Sequence, residues 1–346
     1  MMAVRRLWAS DRRGREQVLK LLEQEGITLD QHLDLTLGIY EDEELLATGS
    51  FYRNTLRCLA VDKSRQGEGL MATLVTELSQ ELFSRGVHDV FIYTKRQAAH
   101  SFEALGFYEI AAVDQVVFLE NKRGAFQRYL DGLSRPALPA GARMGAVVMN
   151  ANPFSLGHQY LVETAAAQVE ALHLFMVSED ISAFPYQVRE RLIKAGTSHL
   201  PHVYHHPTGP YLVSSATFPS YFIKESEALT LAQARLDAAV FGRIAQALHI
   251  TDRFVGDEPL SPATALYNQA MAQELPRYGV QLHVLKRKSD NGTDPISATR
   301  VRALMAEGRT QELHSLVPPS TYDFLISPEG EVIAQKLRAA SAPAKP

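Results

Sequence analysis

The chain has 346 residues, enough for two domains, and its 46% hydrophobic and 21% charged residues are the make-up of an ordinary globular protein. Its formal net charge of -4 gives no electrostatic reason to expect nucleic acid or an anionic membrane as partner, and no apolar run is long enough to span a bilayer. The single cysteine, Cys58, excludes an intrachain disulfide and a cysteine metal cluster; with no apolar segment behind Arg5 and Arg6 to make a signal peptide, the expected location is a reducing cytoplasm.

Taken in order, the chain first shows a helical pattern over 16–24, with Val18, Leu19, Leu21 and Leu22 as its apolar face. Strands are expected at 35–40, 44–52 and 56–61, the first two joined as an antiparallel hairpin by Glu41-Asp42-Glu43. The turn Ser64-Arg65-Gln66-Gly67-Glu68-Gly69 leads into a helix over 70–84 that Gly86 ends. A strand over 89–94, a helix over 98–105 and another over 121–133 complete a first domain, 1–133. The Pro/Ala/Gly-rich stretch 134–142 has no periodicity and reads as a linker.

Beyond it strands and helices alternate: strands at 146–149, 172–177, 203–206, 253–256 and 280–285, and helices from His158, at 186–199, at 225–248 and from Ser261-Pro262. Such alternation predicts a doubly wound parallel sheet over 143–330, with its ligands at the carboxyl ends of the strands. The tail 337–346, rich in Ala, Ser, Lys and Pro, reads as disordered.

The Gly-rich turn admits two readings. Gly67-x-Gly69-x-x-Ala72 matches a dinucleotide fingerprint, but antiparallel strands precede it and Asp89 lies before, not after, the next strand. Residues 35–120 better resemble the GNAT acyltransferase family, in which such a loop holds the pyrophosphate of coenzyme A. The resemblance assigns Arg65, Gln66, Gly67 and Gly69 to binding a prosthetic arm of that kind. Phe102 falls where the family often has a tyrosine acid, and phenylalanine has no proton to give. Fold and arm-binding are therefore expected to outlast self-contained acetyl transfer.

In the second domain, Asn152-Pro153 breaks the first strand, Ser155 can cap the helix that follows, and Gly157 lets the backbone approach a ligand beside His158. The free amides of that helix start favour an anion, most naturally phosphate. A second loop-to-helix junction, Ile296-Ser297-Ala298-Thr299-Arg300-Val301-Arg302, has the same character. Together Ser155-x-Gly157-His158 and Ile296 to Arg302 resemble the paired signatures of the nucleotidylyltransferase superfamily, with departures at Ser155 and Ala298. The resemblance implies ATP binding by Asn152, Phe154, Ser155, Gly157, His158, Ile296, Ser297, Thr299 and Arg302; Gly256, after a strand end, either lines the nucleotide pocket with them or simply turns the chain. The resemblance gives transition-state roles to His158, Thr299 and Arg302 and second-substrate positioning to Arg189; Lys224 divides evenly between a surface lysine and a phosphate contact. His199, His202, His205 and His206 lack ligand spacing and read as a strand with its turns, not a zinc site.

The pairing of the two domains is similar to the citrate lyase ligase family over nearly the whole chain. The match rests on 152–163, Ser178-Glu179-Asp180, 216–223, 259–271 and 296–302. That family activates acetate with ATP and acetylates the thiol on the acyl carrier subunit of citrate lyase, releasing AMP and pyrophosphate. ATP usually arrives with Mg2+; no resident metal site, nucleic acid or membrane is expected. Two alternatives stand beside it: an adenylyltransferase acting on pantetheine phosphate or nicotinamide mononucleotide, and a non-catalytic nucleotide-binding protein, for which Ser155 is the best support.

Overall fold

The computed structural model describes residues 2–8, 10–30, 32–114, 116–139, 141–214, 227–257, 262–290 and 294–341. The chain divides into two compact units, Met1–Gln127 and Arg128–Pro346.

The first unit is a seven-stranded sheet: β1 (Met2–Leu7), β2 (Leu35–Glu41), β3 (Glu44–Tyr52), β4 (Thr55–Val61), β5 (Phe91–Lys95), β6 (Tyr108–Val113) and β7 (Val116–Glu120), in the order β1-β2-β3-β4-β5-β7-β6. All neighbours are antiparallel except β4 and β5. Those two pair only through Thr55 with Phe91 and Leu56 with Ile92, so the ladder stops where both strands have barely begun. The expected hairpin of β2 and β3 is present, and the expected helix at 16–24 begins earlier, as α1 (Arg12–Gln24), because Asp11 caps it by accepting from the Gly14 amide. Helix α2 (Leu70–Ser84) packs Leu70, Leu74, Leu78 and Leu82 onto the sheet at helical spacing. Helix α3 (Arg96–Ala104) buries Phe102 in the same core, and the short α4 (Ala125–Asp131) follows β7.

The unit boundary falls inside α4, several residues before the expected linker. The reason is local: the Tyr129 hydroxyl donates to the Pro207 carbonyl and its ring packs on Tyr211, which ties it to the second unit.

The second unit is the expected doubly wound α/β domain. Its parallel strands are β8 (Met144–Met149), β9 (Ala171–Met176), β10 (Val203–Pro207), β11 (Asp252–Gly256) and β12 (Gln281–Leu285), in the order β10-β9-β8-β11-β12. Strands β8 and β9 are buried apolar runs, as strands covered on both faces must be. Helices α5 (Leu156–Ala166) and α6 (Tyr186–Gly196) follow β8 and β9; α7 (Glu227–Leu248) and α8 (Pro262–Glu274) flank β11. After β12 come two-residue strands β13 (Ser289–Asp290) and β14 (Asp294–Pro295), then α9 (Ala298–Glu307), α10 (Pro319–Leu325) and α11 (Pro328–Ser341). Phe154, Val162, Phe184, Phe254, Val301 and Phe324 join one core on the α5 side of the sheet.

The sheet order reverses between β8 and β11, whose neighbours lead away in opposite directions. At that switch point a crevice opens at the strands' carboxyl ends. One expectation about the tail is corrected: 337–341 are the last turns of α11, which buries Ile333 and Ala334 and so has an apolar face to hold it, while 342–346 lie outside the described residues.

Candidate functional site

A cavity of about 640 Å³ occupies the crevice. Its wall includes both sequence motifs, with Asn152, Ser155, Gly157, His158, Gly256, Ile296, Ser297, Thr299 and Arg302 all contributing. The loop after β8, whose Asn152–Pro153 peptide is cis, delivers the chain to α5. Ser155, with extended backbone, is the N-cap, and the junction is a reciprocal capping box. The His158 amide donates to Ser155 Oγ (3.4 Å), the Ser155 amide donates to His158 Nδ1 (3.1 Å), and Ser155 Oγ lies 2.9 Å from that same ring nitrogen. The serine that departs from the superfamily pattern therefore builds the helix start and orients the histidine.

Because a backbone amide can only donate, His158 Nδ1 must accept, and the neutral ring carries its proton on Nε2. Desolvation, with Arg287 and Arg302 nearby, pushes the His158 pKa down to about 4. At neutral pH His158 is an uncharged, oriented donor. Phe154 stacks beneath the ring, with centroids 5.9 Å apart, and is itself wedged against Gly196, where a Cβ would meet its Cε1 at 2.4 Å. Phe154, expected at the ATP, is fully buried and forms no part of the cavity wall; it props the histidine from the core side.

Two helix starts meet here. Ser297 caps α9 by accepting from the Arg300 amide (3.2 Å), and Arg302, one turn on, donates to the Asn152 carbonyl and to Thr299 Oγ1 (3.1 Å). The two motifs are thus bonded to each other across 150 residues of chain. A Cβ on Gly157 would come within 2.8 Å of the Ile296 carbonyl oxygen, so only glycine permits this approach of α5 to the second motif.

The structure does not bring Arg189 to the cavity wall. Its fully buried guanidinium donates to the carbonyls of Phe184 (3.0 Å), Asn150 (3.1 Å), Val177 (2.6 Å) and Glu179 (2.8 Å). It clamps the loops leaving β8 and β9, with its fork on backbone carbonyls, away from the wall where the second-substrate contact was expected. Lys224 lies outside the described residues, as do Ser261, Glu258 and Pro259. The four histidines from His199 to His206 go to different neighbours: Glu163, the Ala166 carbonyl, Thr197 and His173 respectively.

Three cations on the wall escaped the sequence reading: Lys286 and Arg287, just past the carboxyl end of β12, and Arg253 on β11. Asp257 holds Arg287 in place, accepting from its amide (2.9 Å) through Oδ1 and from its Nε (2.7 Å) through the backbone carbonyl. The available signal was the basic run Lys286-Arg287-Lys288 directly after a parallel strand. Among the described residues the wall carries Arg253, Lys286, Arg287 and Arg302 and no carboxylate, an environment for anions.

In the first unit, Gly67 (φ +88°) and Gly69 (φ +79°) shape the turn before α2, and Gly69 caps that helix without a side-chain bond to its amides. Gln66 is exposed, whereas Arg65 is held by Glu41 and Glu68, each at 2.9 Å.

A switch-point crevice with two helix starts, a fixed histidine and a motif arginine defines the class: a doubly wound α/β domain with an anion-friendly site at the carboxyl ends of its strands. Residues 144–325 match the citrate lyase ligase C-terminal domain, and residues 1–109 match the acetyltransferase (GNAT) family. The citrate (pro-3S)-lyase ligase of Klebsiella pneumoniae is 41% identical over 322 residues, covering 91% of this chain and 94% of that one. Those of Escherichia coli K12 and Haemophilus influenzae are 37% and 36% identical, covering 92% and 88% of this chain and 92% of each relative. An acyl-CoA N-acyltransferase structure from Pseudomonas aeruginosa aligns with 35% of this chain and all of its own, at 14% identity and a TM-score of 0.31. This chain belongs to the citrate lyase ligase family.

Proposed function

We propose that the protein activates acetate with ATP and transfers the acetyl group to the thiol of the prosthetic arm on the acyl carrier subunit of citrate lyase. The observation that carries this reading is the joining of the two motif loops, through Arg302 and the Asn152 carbonyl, around a cavity whose described charged side chains are all cationic. Two anionic reactants suit such a wall.

The chemistry follows from charge. An acetate oxygen forms a bond to the α-phosphorus, the bond from that phosphorus to the bridging oxygen breaks, and its electron pair leaves with pyrophosphate. Acetate is already ionised at neutral pH, so no base is needed in this step. His158, kept neutral with hydrogen on Nε2, donates to oxygen on which charge develops, and Arg302 with Thr299 holds the departing phosphates. Lys286 and Arg287 add positive charge to the same wall. The thiolate of the carrier then attacks the acetyl carbonyl carbon and AMP leaves. ATP would arrive as its magnesium complex, the ion offsetting phosphate charge, and the described wall offers no carboxylate as a ligand for it. ATP and a reduced thiol put the proposed reaction in the cytoplasm.

Acetate-dependent exchange of label between pyrophosphate and ATP tests the first half, and labelled acetyl transfer to the isolated carrier tests the second. Exchange driven by pantetheine phosphate or nicotinamide mononucleotide but not by acetate would overturn the reading.

A further inference from the structure

The cavity has two ends of different character. One holds the motif loops. The other lies on the opposite face of the sheet, against α7 and α8. Along α8, Thr264, Tyr267, Asn268 and Met271 recur at helical spacing and turn one face to the cavity. On the sheet, Arg253 pairs in register with Ala146, so Val148 and Val255 stand one side-chain repeat nearer the carboxyl ends on the same face. Val213 completes an apolar collar. Arg253 is the cation at the base of this collar, and it is 1% exposed.

Its partners do not use it up. The guanidinium sits over the Phe241 ring, 4.6 Å from the centroid, and is hydrogen-bonded to Tyr267. Tyr267 in turn donates to Asp237 Oδ2 (2.6 Å), whose other oxygen accepts from the Val213 amide (2.7 Å). Nε and Nη1 of Arg253 are buried and have no hydrogen-bond partner among the described residues. The buried Asp237 attracts the guanidinium, but two buried donors without an acceptor still carry a desolvation cost that a bound anion would relieve. Arg189, equally buried in the same unit, spends its donors on four carbonyls. The contrast marks Arg253 as kept in reserve.

We propose that Arg253 is the specificity-determining residue for the carboxylic acid, binding the carboxylate of a short aliphatic acid whose hydrocarbon end faces Val148, Val213, Val255 and Met271. This deepens the proposed function and rests on it. Arg253 holds one carboxylate oxygen and leaves the other free to react. A cation at the base of an apolar collar selects a small monoacid: a neutral amide or alcohol forfeits the charge-assisted bond, and a longer chain collides with Met271.

The test uses the full chain and reads acetate and ATP separately. In acetate-dependent pyrophosphate exchange, Arg253→Gln should raise KM for acetate at least a hundredfold and Arg253→Lys about tenfold, with KM for ATP within twofold of wild type. Melting temperature should change little in either variant, because glutamine and lysine can both still donate to Tyr267. Met271→Ala should shift the preference from acetate toward propionate and butyrate. An unchanged acetate KM in Arg253→Gln would overturn the assignment, as would a parallel rise for ATP. Marked loss of thermal stability in both Arg253 variants would make the residue structural and equally overturn it. Absence of acetate-dependent exchange in the wild-type protein would instead strike at the proposed function itself.

Discussion

His158 combines two features that are usually in competition: a position fit for binding phosphate and a ring kept free of charge. The Ser155 amide fixes the tautomer, and desolvation with two arginines keeps the second proton off until about pH 4. His158→Ala should therefore lower the exchange rate roughly a hundredfold, the scale for one preorganised donor, without loss of fold. Between pH 5 and 8 the wild-type rate should show no limb due to this ring; a wild-type limb near pH 6.5 that disappears in His158→Ala would contradict the assignment. His173 and His206, paired at 2.9 Å within the sheet, are likewise pushed down, to about 4 and about 3. For such groups the unfolded chain, titrating near 6.5, binds more protons than the folded one over the interval between. Their contribution is complete above about pH 6.5 and is lost as pH falls, at roughly 1.4 kcal/mol per unit for each group. Melting temperature should accordingly drop between pH 7 and pH 5, and drop less once His173 and His206 are both replaced by leucine.

At the scale of elements, the site is a contact between the starts of α5 and α9. Gly157→Ala forces a methyl against the Ile296 carbonyl, 2.8 Å away, and the obstacle is backbone, which yields poorly. The expected result is a loss of about 1–3 kcal/mol in stability, as for other overpacked positions, and a raised KM for ATP; unaltered ATP affinity would show that the two starts need not touch. This contact also explains what sequence could and could not show. Both motif loops were legible because their function lies in backbone conformation and capping, which Ser155, Gly157 and Ser297 declare directly. Phe154 belongs to the first of these loops and Arg189 to α6, yet neither place says which way a side chain points, and both turn into the protein. Arg253 was invisible for the converse reason: a lone arginine in a strand reads as solvent-facing, and only the covering helices α7 and α8 bury it. Strand β1, all but Leu7 exposed along its length, lacks the alternation that would announce a strand.

For the molecule as a whole, the question is what the first unit adds. Its sheet and Gly-rich turn keep the GNAT pattern, while the Phe102 ring lies in the core where it can do no acid chemistry. The hypothesis is that the turn at Gly67 to Gly69 grips the pyrophosphate-bearing arm and the second unit performs the adenylation. Space around Gly67 is open, so Gly67→Val costs only the strain of φ +88° while placing a side chain over the turn. Acetate-dependent pyrophosphate exchange should remain near the wild-type rate and acetylation of the carrier should fall at least tenfold. Equal rates in both assays would leave the first unit without a part in delivery.

The bond from Arg302 to the Asn152 carbonyl has a consequence for the order of events at the ribosome. The loop after β8 is translated early, but the partner that completes it comes 150 residues later, and Leu156 donates its amide to a carbonyl later still, that of Leu316. Contacts so distant in sequence form late. A nascent chain released before residue 302 should possess most of the sheet yet have no means of consuming ATP, and chains stalled at successive lengths should gain exchange activity only once the second motif and the segment through Leu316 have cleared the exit tunnel. Activity from a chain ending ahead of Ile296 would refute this. Catalysis then certifies that synthesis of the domain is complete, and an unfinished enzyme spends no nucleotide.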